Sequence, residues 1–422
     1  MRLDPVEAET RGVLAEAWRR LPESHRGPTQ FLGRQYAGCG ATLGVMPRCD
    51  FTCAGCYLGS DANRAAPVAL EDAKAQLRLL RGWLGPAGNL QLTDGEVTLR
   101  EEAQVIELVR YARAIGLVPM LMTHGETFRR RPGLLERLML HGGLTEVSIH
   151  VDTTMRGRRD GYAHARTEGE LDGLRAEFAD MIRAARRTTG RRLEAASTVT
   201  VTRANLSGVP GIVRWFLDHA DAFKMVSFQP AARVGRTDPR LGGVTPDELW
   251  QAIAEGVDDS AVARGAGFLG HAACSRFVQG LVSRSPAGPR FIPLYDRHRP
   301  GDMRFLAALL DRLGGLSFRL DDRARAVLRG ARVAARHPAF LVCRVLPYAW
   351  RLLRRSGWRA RYFVVVSHHF MSAGEVATPE GRERIEACAF RVPIDGQLVS
   401  MCAANALGLR DAAYGAARRM SA

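Results

Sequence analysis

Short apolar runs alternate with amphipathic stretches between about residue 40 and residue 230. The apolar runs predict six strands, the first ending over 44–48 and the others at 90–96, 117–123, 146–152, 194–201 and 222–230. Apolar residues with helical spacing lie between them, near 69–85, 101–116, 131–141, 168–188 and 207–219. Strands that alternate with helices in this way are typical of a parallel sheet covered by helices. The pattern therefore predicts an α/β fold of six β/α units.

Three further regions flank these units, so that the predicted divisions are 1–38, 39–232, 233–362 and 363–422. The first is a helical extension, because residues 5–22 have helical apolar spacing. The third is predicted to be helical and rich in arginine, with a helix near 246–256 and a helix pair broken at Pro338. The last begins with a strand at 364–371. Asp395-Gly396 between two short apolar runs then predicts a hairpin turn.

The first candidate site is the loop after the first strand, where Cys49, Cys53 and Cys56 have the spacing C-x3-C-x2-C. Thiolates are the ligands of iron–sulfur clusters, and a [4Fe–4S] cluster needs one ligand for each iron. Three cysteines leave one iron open. The alternative is zinc, whose sites favour C-x2-C pairs that come in twos and close at four ligands. No second such pair follows, so the spacing favours an iron–sulfur cluster.

This loop and its setting resemble those of the radical S-adenosylmethionine (radical SAM) superfamily. At the end of the second predicted strand, Thr93-Asp94-Gly95-Glu96 is similar to the family's Gly-Gly-Glu motif, which contacts the methionyl amine of SAM. The chain departs from the family at two places. Asp94 replaces the first glycine, and Gly55 precedes the third cysteine, with the aromatic Tyr57 after it. The resemblance implies a partial (β/α)6 radical SAM barrel with a helical and cysteine-containing C-terminal extension.

The resemblance also implies the cofactors, a [4Fe–4S] cluster and SAM. SAM would chelate the open iron, and an electron from the cluster would cleave its sulfonium to release a 5′-deoxyadenosyl radical, which abstracts hydrogen from an unactivated C–H bond. Active sites of such barrels lie at the C-terminal strand ends. Polar residues there can bind SAM or merely cap loops, and no catalytic residue is assigned. The cofactor-binding candidates are Tyr57, Thr93, Asp94, Gly95, Glu96, His124, Ser148, His150, Thr200 and Gln229, with Asp152 and Thr202 beside them.

The C-terminal half resembles one radical SAM branch, that of the tetraether lipid synthases and the pterin-methylating enzymes. The resemblance rests on the order Phe228-Gln229-Pro230, Cys274-Ser275, His369-Phe370-Met371 and Cys388…Asp-Gly…Cys402. It implies an auxiliary cluster on Cys274, Cys388 and Cys402, with a fourth ligand from Cys39, Cys343, His369 or substrate. The alternative is that Cys388 and Cys402, which should face each other across the hairpin, are buried, inert thiols.

The formal net charge is +16, and Lys74 and Lys224 are the only lysines among the 60 basic residues. A GC-rich genome would explain so much arginine, but a basic protein also attracts phosphates on nucleic acid, lipid or cofactor. Segment 323–361 is densely basic and helical. It is predicted either to be a solvated helix pair that caps the barrel, or to rest on anionic lipid with Trp350 and Trp358 at the interface.

The expected compartment is the cytoplasm, with peripheral contact at the inner face of the membrane as a variant. Eight cysteines in 422 residues do not indicate a disulfide scaffold, and an oxygen-sensitive cluster needs reducing conditions. The first residues carry Asp4, Glu7 and Glu9 without the apolar segment of a signal peptide. No uncharged apolar run is long enough to span a bilayer.

Three functions compete at this stage. The first is a radical SAM enzyme, an oxidoreductase or transferase, that acts on a lipid or other long apolar substrate. The second is a radical SAM enzyme that modifies a peptide or small molecule with the help of an auxiliary cluster. Either would need an electron donor such as flavodoxin or ferredoxin, and neither would bind nucleic acid. The third, a zinc-binding nucleic-acid module without catalysis, predicts colourless protein and salt-dependent binding to DNA or RNA.

Overall fold

The computed structural model describes residues 7–38, 40–286 and 288–420. Cys39, one of the candidate fourth ligands, lies outside the described residues. Among the described residues, no helix is both long and apolar enough to cross a membrane.

The first six strands are parallel neighbours in the order in which they occur along the chain, as predicted. They alternate with helices that cover the outer face of the sheet. The elements of this half are α1 (Ala8–Arg20), β1 (Gly40–Gly44), α2 (Leu70–Leu84), β2 (Asn89–Thr93), α3 (Glu102–Ala114), β3 (Val118–Thr123), α4 (Glu126–Arg130), α5 (Leu134–Arg137), β4 (Glu146–His150), α6 (Asp172–Thr189), β5 (Glu194–Val201), α7 (Val209–Asp218) and β6 (Phe223–Pro230).

The second half adds five strands to the same sheet rather than forming one of its own. Its elements are α8 (Pro246–Val257), α9 (Ser260–Arg264), β7 (Ser275–Ser285), β8 (Gly288–Pro293), α10 (Pro300–Leu313), α11 (Arg323–Arg336), α12 (Pro338–Phe340), α13 (Leu346–Ser356), β9 (Arg361–His368), α14 (Pro379–Glu386), β10 (Phe390–Ile394), β11 (Gln397–Ser400), α15 (Met401–Ala406) and α16 (Leu409–Met420).

The complete sheet has eleven strands in the order β11-β10-β1-β2-β3-β4-β5-β6-β9-β7-β8. β10 pairs parallel to β1 at one end and β9 pairs parallel to β6 at the other, while β11, β7 and β8 are antiparallel additions. The predicted α/β half-barrel is therefore confirmed. All the parallel strands begin at one edge of this sheet and end at the other, and the cysteine loop follows β1 at the edge where the strands end.

Two details of the second half differ from the predicted elements. The region 233–362 was predicted to be helical, but it also contains the antiparallel hairpin of β7 and β8. Apolar and polar residues alternate along β7, so that one of its faces is buried, as is common in antiparallel sheets. The predicted turn at Asp395-Gly396 is present, with φ of 48° and 73°, the left-handed pair that a two-residue hairpin of this kind requires. Cys388 and Cys402 flank the base of this hairpin rather than lying on its strands.

The main core lies between the sheet and its outer helices. Leu43, Leu92 and Leu121 from three neighbouring strands pack in one buried cluster with Leu77 of α2 and Leu108 of α3. A second cluster joins the N-terminal segment, β7, β9 and α10. Because the strands are fixed by these apolar contacts, their C-terminal ends hold the loops that follow them in defined positions.

Candidate functional site

The cysteine loop lies directly after β1, at the C-terminal edge of the parallel sheet. Backbone hydrogen bonds fix it to the loop after β4: Thr52 N–H donates to the Arg156 carbonyl (2.7 Å) and Ala54 N–H to the Thr154 carbonyl (2.8 Å). Cys49, Cys53 and Cys56 are free thiols and each is partly exposed. The loop is thus anchored by its backbone while its sulfur atoms remain accessible.

The surroundings of the three sulfur atoms suit a bound cation. The pKa of Cys53 is raised by burial and by the negative charges of Asp152, Cys56 and Cys49, so the three thiolates repel one another. Arg236 Nη2 lies 3.4 Å from Cys56 Sγ, and the Phe51 N–H donates to Cys49 Sγ at 3.3 Å. Three thiolates in one loop need positive charge between them, and the irons of a cluster supply it. The donor set therefore fits the predicted cluster.

His124, a predicted site residue, packs against this loop from the end of β3. Its ring stacks on Phe51 with centroids 3.9 Å apart, and its Nε2 lies 2.8 Å from Asp50 Oδ1. Burial by itself would lower the pKa of His124, but the negative charges of Glu96, Asp50 and Cys49 raise it to about 10. His124 therefore links the cysteine loop to the turn after β2, through its ring at Asp50 and its backbone N–H at Glu96.

That turn is the predicted Asp94-Gly95-Glu96 motif, and it packs backbone to backbone on the segment before Cys49. Gly95 has φ of 52°, and a Cβ there would lie 2.2 Å from the Arg48 carbonyl oxygen. The Glu96 N–H donates to the same carbonyl at 2.8 Å. Glycine is required here both for the left-handed conformation and for the close approach.

Glu96 points inward and is fully buried. Its carboxylate accepts hydrogen bonds from Thr98, from Thr123 Oγ1 (2.7 Å) and from the His124 N–H (2.8 Å). A buried carboxylate must be paired in this way, since an unpaired one is costly. Glu96 therefore joins the ends of β2 and β3 into one rigid unit.

Asp94, the departure from the family motif, is held by the C-terminal helix. It is buried, has φ of 61°, and accepts hydrogen bonds from Tyr57 (2.8 Å), Arg410 and Tyr414. On the same helix, Asp411 accepts a hydrogen bond from the Gly59 N–H at 2.8 Å. The aspartate at the glycine position thus anchors α16 to the cysteine loop.

A cavity of about 100 Å³ opens between these elements on the inner side of the sheet. Four of the predicted residues line it: Tyr57, Thr93, Thr200 and Gln229. Met401, Cys402 and Asn405 close its C-terminal side. The cavity is smaller than the 300–1,000 Å³ typical of sites that enclose a drug-sized ligand.

The other predicted residues have different surroundings. Ser148 is buried and bonded to Thr198 (3.1 Å), while His150 Nε2 lies 2.6 Å from Asp152 Oδ2 and 3.2 Å from Thr200 Oγ1. The N–H of Thr202 donates to Asn205 Oδ1, as in a loop cap. His124 and His150 line a separate, much smaller cavity of about 10 Å³. The structure therefore places His150 near the cysteine loop and Ser148 deeper in the sheet.

The three C-terminal cysteines lie close enough for their charges to interact; Cys274 is partly exposed, and Cys388 and Cys402 are buried. Burial and the negative charge of Cys388, opposed by the positive charge of Arg384, raise the pKa of Cys274 to about 11 and that of Cys402 to about 12. Arg384 Nε lies 3.4 Å from Cys274 Sγ. Cys343, by contrast, is exposed in the π-helical turn that joins α12 to α13.

His369, a candidate fourth ligand, lies beside this group. Its N–H donates to the Cys274 carbonyl, and its carbonyl accepts from Arg384 Nη2. Burial, together with the positive charges of Arg276, His368 and Arg384, lowers the pKa of His369 to about 3, which keeps the ring neutral. Within the described residues its buried Nε2 has no hydrogen-bond partner. A neutral, buried imidazole nitrogen without a partner is a competent metal ligand.

Comparison with known proteins agrees with the motifs. No family model matches the chain. A 7,8-dihydro-6-hydroxymethylpterin dimethyltransferase from Methanocaldococcus jannaschii is 24% identical over 224 residues, which cover 52% of this chain and 42% of that protein. The chain therefore spans less than half the length of this relative.

The name of that relative states a pterin-methylating activity, and pterin-methylating enzymes belong to the branch that the order of the C-terminal motifs resembles. In this chain the cysteine loop lies at the C-terminal edge of the parallel sheet. The chain is thus similar to a pterin-methylating enzyme over about half of its own length. Among solved structures, this chain is similar to Streptococcus suis SuiB bound to S-adenosylmethionine (14% identity, TM-score 0.38, 54% of this chain and 48% of SuiB). It is also similar to the FeFe-hydrogenase maturase HydG from Carboxydothermus hydrogenoformans (12% identity, TM-score 0.37, 84% and 87%).

Several residues of this candidate site were not predicted from the sequence. Asp50 lies inside the cysteine motif, where no metal-ligand spacing singled it out. Arg236 lies in a loop after the barrel. Arg410 and Tyr414 lie four residues apart on α16, a spacing that places both side chains on one helix face. That spacing is a signal, but nothing in the sequence shows that the face meets Asp94.

Proposed function

We propose that this protein binds a [4Fe–4S] cluster on Cys49, Cys53 and Cys56, cleaves SAM there, and removes a hydrogen atom from an unactivated C–H bond. The observation that carries the proposal is the group of three partly exposed cysteines in one loop, which backbone hydrogen bonds anchor beside the Asp94–Glu96 turn. When bound, the cluster supplies one electron that divides SAM into methionine and a 5′-deoxyadenosyl radical, which becomes 5′-deoxyadenosine on taking the hydrogen atom. The electron would come from a donor such as flavodoxin or ferredoxin.

The residues of the chain have definable parts in this proposal. Arg236 places positive charge beside Cys56 Sγ, which favours the ionised form of that thiol. His124 positions the cysteine loop through its contacts with Asp50 and Phe51. Glu96 and Gly95 hold the turn where the amine of SAM is proposed to bind, and Tyr57, Thr93, Thr200 and Gln229 line the cavity beside it. His150 and Ser148 are proposed as more distant members of the cofactor environment.

The test is anaerobic reconstitution followed by measurement of 5′-deoxyadenosine with a chemical reductant. The Cys49→Ala/Cys53→Ala/Cys56→Ala variant should form none while keeping its circular dichroism spectrum. The matched control is Cys343→Ala, because this exposed thiol lies outside both cysteine groups. Ordinary SAM cleavage by the triple variant would refute the proposal.

We propose that the substrate is a lipid or another long apolar molecule. Support comes from the apolar part of the cavity wall, to which Met122, Phe370, Met371 and Phe390 contribute. Deuterium transfer tests the identity of the substrate directly. When the protein is incubated with a lipid that carries deuterated chains, 5′-deoxyadenosine should gain one deuterium. Transfer from a deuterated peptide but not from any lipid would contradict the proposal.

A second candidate is a small heteroaromatic substrate such as a pterin, with methyl transfer as the outcome. The similarity to the pterin dimethyltransferase supports it, although less than half of that protein is matched. Incubation with a reduced pterin and SAM labelled with 13C in its methyl group separates the two candidates. A labelled pterin product would favour the small molecule, and no label in pterin together with deuterium transfer from lipid would favour the lipid.

We further propose an auxiliary iron–sulfur cluster on Cys274, Cys388 and Cys402, with His369 as the fourth ligand. Its support is that Cys274, Cys388 and Cys402 lie close enough for their charges to interact, and that His369, which is bonded through its backbone to Cys274, has a buried Nε2 without a partner among the described residues. With two four-iron clusters, about eight irons are expected per chain, and the variant lacking Cys49, Cys53 and Cys56 should keep about half of them. Iron-free, colourless protein from that variant would exclude the auxiliary cluster.

A further inference from the structure

Helix α11 carries its apolar face toward solvent. Val333 is its buried residue, and the opposite side consists of Ala324, Val327, Leu328, Ala331 and Ala335, all of them exposed. A surface helix normally does the reverse and turns its apolar stripe inward. Helix α11 is therefore amphipathic, but its larger apolar side faces solvent and Val333 is the residue that it buries against the protein.

Helix α13 and the π-helical turn before it repeat this arrangement. Tyr348 faces the protein, where its hydroxyl donates to the Leu294 carbonyl at 2.6 Å. Val342, Leu346 and Trp350, spaced four residues apart on the other side, are exposed to 60%, 60% and 54%. Trp358, exposed to 80%, packs edge-on against Trp350 with ring centroids 6.3 Å apart. Large apolar side chains at this exposure form a continuous patch that is unusual on a protein surface.

The charge around this patch has one sign. From residue 323 to residue 361 the sequence contains eleven arginines and no aspartate or glutamate. Arg329 and Arg351 are paired with acids outside the segment, at 3.1 Å from Asp321 and 2.8 Å from Asp302. Arg354 and Arg355 are exposed in the last turn of α13, beside the two tryptophans.

We propose that this Arg/Trp surface, defined as the outward face of α13 and of the turn before it together with Trp358, docks on an anionic phospholipid surface. The apolar residues would enter the acyl boundary while the arginine side chains reach the phosphates, which is the arrangement of interfacial helices. Charge complementarity selects this occupant. A second copy of the chain would bring two strongly basic faces together, and a nucleic acid would satisfy the arginines but leave the exposed tryptophans in water.

The position of the surface fits the proposed function without depending on it. α13 leads into Arg361, the first residue of β9, and Arg319 before α11 pairs with Glu146, the first residue of β4. Both are at the N-terminal edge of the parallel strands. The cysteine loop lies at the opposite edge, so docking leaves that loop in water, where an electron donor can reach it.

The experiment is vesicle flotation of the full chain, with phosphatidylcholine vesicles compared with vesicles in which about one third of the lipid is phosphatidylglycerol. We expect the chain to float with the anionic vesicles only. Arg354→Gln/Arg355→Gln should weaken binding about 30-fold, because each arginine near an anionic surface contributes a factor of about five. Trp350→Ser/Trp358→Ser should weaken it at least tenfold and should remove quenching of tryptophan fluorescence by brominated lipid.

Two matched controls lie on the outer helices of the barrel. Arg187→Gln/Arg214→Gln removes two exposed arginines of α6 and α7, and Leu140→Ser removes an exposed leucine. Both should bind vesicles like the unmodified chain. Equal weakening in these controls would mean that net charge, not this surface, drives binding.

Three other results would overturn the proposal. The first is no flotation with anionic vesicles. The second is a dimer in light scattering that Trp350→Ser/Trp358→Ser dissolves, which would assign the surface to a second copy. The third is salt-sensitive binding to RNA or DNA that displaces the vesicles, and that Arg354→Gln/Arg355→Gln weakens while Trp350→Ser/Trp358→Ser does not. Flotation needs neither cluster nor SAM, whereas 5′-deoxyadenosine formation needs no vesicle, so failure of the docking proposal and failure of the proposed function are distinguishable.

Discussion

Replacing Arg410 with methionine tests whether the C-terminal helix is part of the SAM site. Methionine has similar length but leaves the buried Asp94 carboxylate without its cationic partner. Removing one partner of a buried ion pair costs about 3–5 kcal/mol. Asp94 keeps the hydroxyls of Tyr57 and Tyr414, so the expected cost is at the lower end, about 3 kcal/mol.

This cost should appear as local undocking of α16 rather than as loss of the fold, because the helix lies outside the main core. An increase of about 3 kcal/mol in the free energy of the docked state lowers amide protection by about 100-fold. Hydrogen exchange followed by mass spectrometry should detect this in the amides of residues 409–416 and in the turn at 94–96. Protection of the outer barrel helices should stay unchanged.

Two further variants make the test specific. Arg382→Met on α14 removes an exposed arginine that donates to the Ala377 carbonyl, and it should leave α16 protected. Asp94→Asn/Arg410→Met removes both charges, so protection should recover by an interaction free energy of about 0.5–3 kcal/mol. Unchanged protection in Arg410→Met, or no recovery in the double variant, would refute the role assigned to this pair.

Two more predictions concern the turn after β2. Gly95→Ala should abolish iron loading at the cysteine loop, because its Cβ would lie 2.2 Å from the Arg48 carbonyl oxygen. The control is Gly396→Ala, where φ is 73° but the space around the new Cβ is open. This variant should lose only about 1–2 kcal/mol of stability and should keep its iron. Iron analysis and thermal unfolding of both variants check this, and iron loss in both or in neither would contradict it. Glu96→Gln should weaken SAM binding about ten- to a hundred-fold. The amide nitrogen of glutamine is a donor where the carboxylate oxygen accepts a hydrogen bond, so one charge-assisted bond worth about 1.5–3 kcal/mol is lost. Calorimetric titration against the exposed neighbour Glu101→Gln measures it, and equal dissociation constants would mean that the amine binds elsewhere.

The barrel could be predicted from the sequence because each of its strands carries its own local signal. β2 to β6 lie within three residues of the predicted boundaries, and only β1 is displaced, since its apolar run continues into the loop before Cys49. The hairpin of β7 and β8 was missed because Gly280 and several polar residues interrupt its apolar pattern. Its partner, β9, follows more than seventy residues later, so the pairing has no local signature.

The candidate site divides in the same way. The thiol spacing is contained in eight consecutive residues, so a single stretch predicts it. The network around Asp94 joins Tyr57, Arg410 and Tyr414, and no spacing within the sequence relates them. Asp94 itself was noticed only as a departure from the motif. The physical reason for that departure, a cationic partner from α16, exists only after the sheet has formed.

The contact between Gly59 and Asp411 joins positions 352 residues apart, and this has a consequence for how the protein is made. On the ribosome, the cysteines emerge long before β10 pairs with β1 and α16 covers the loop. The nascent chain therefore offers three uncovered thiols to whichever protein delivers iron and sulfide. Cluster insertion should be fastest in that interval, before α16 docks against the cysteine loop.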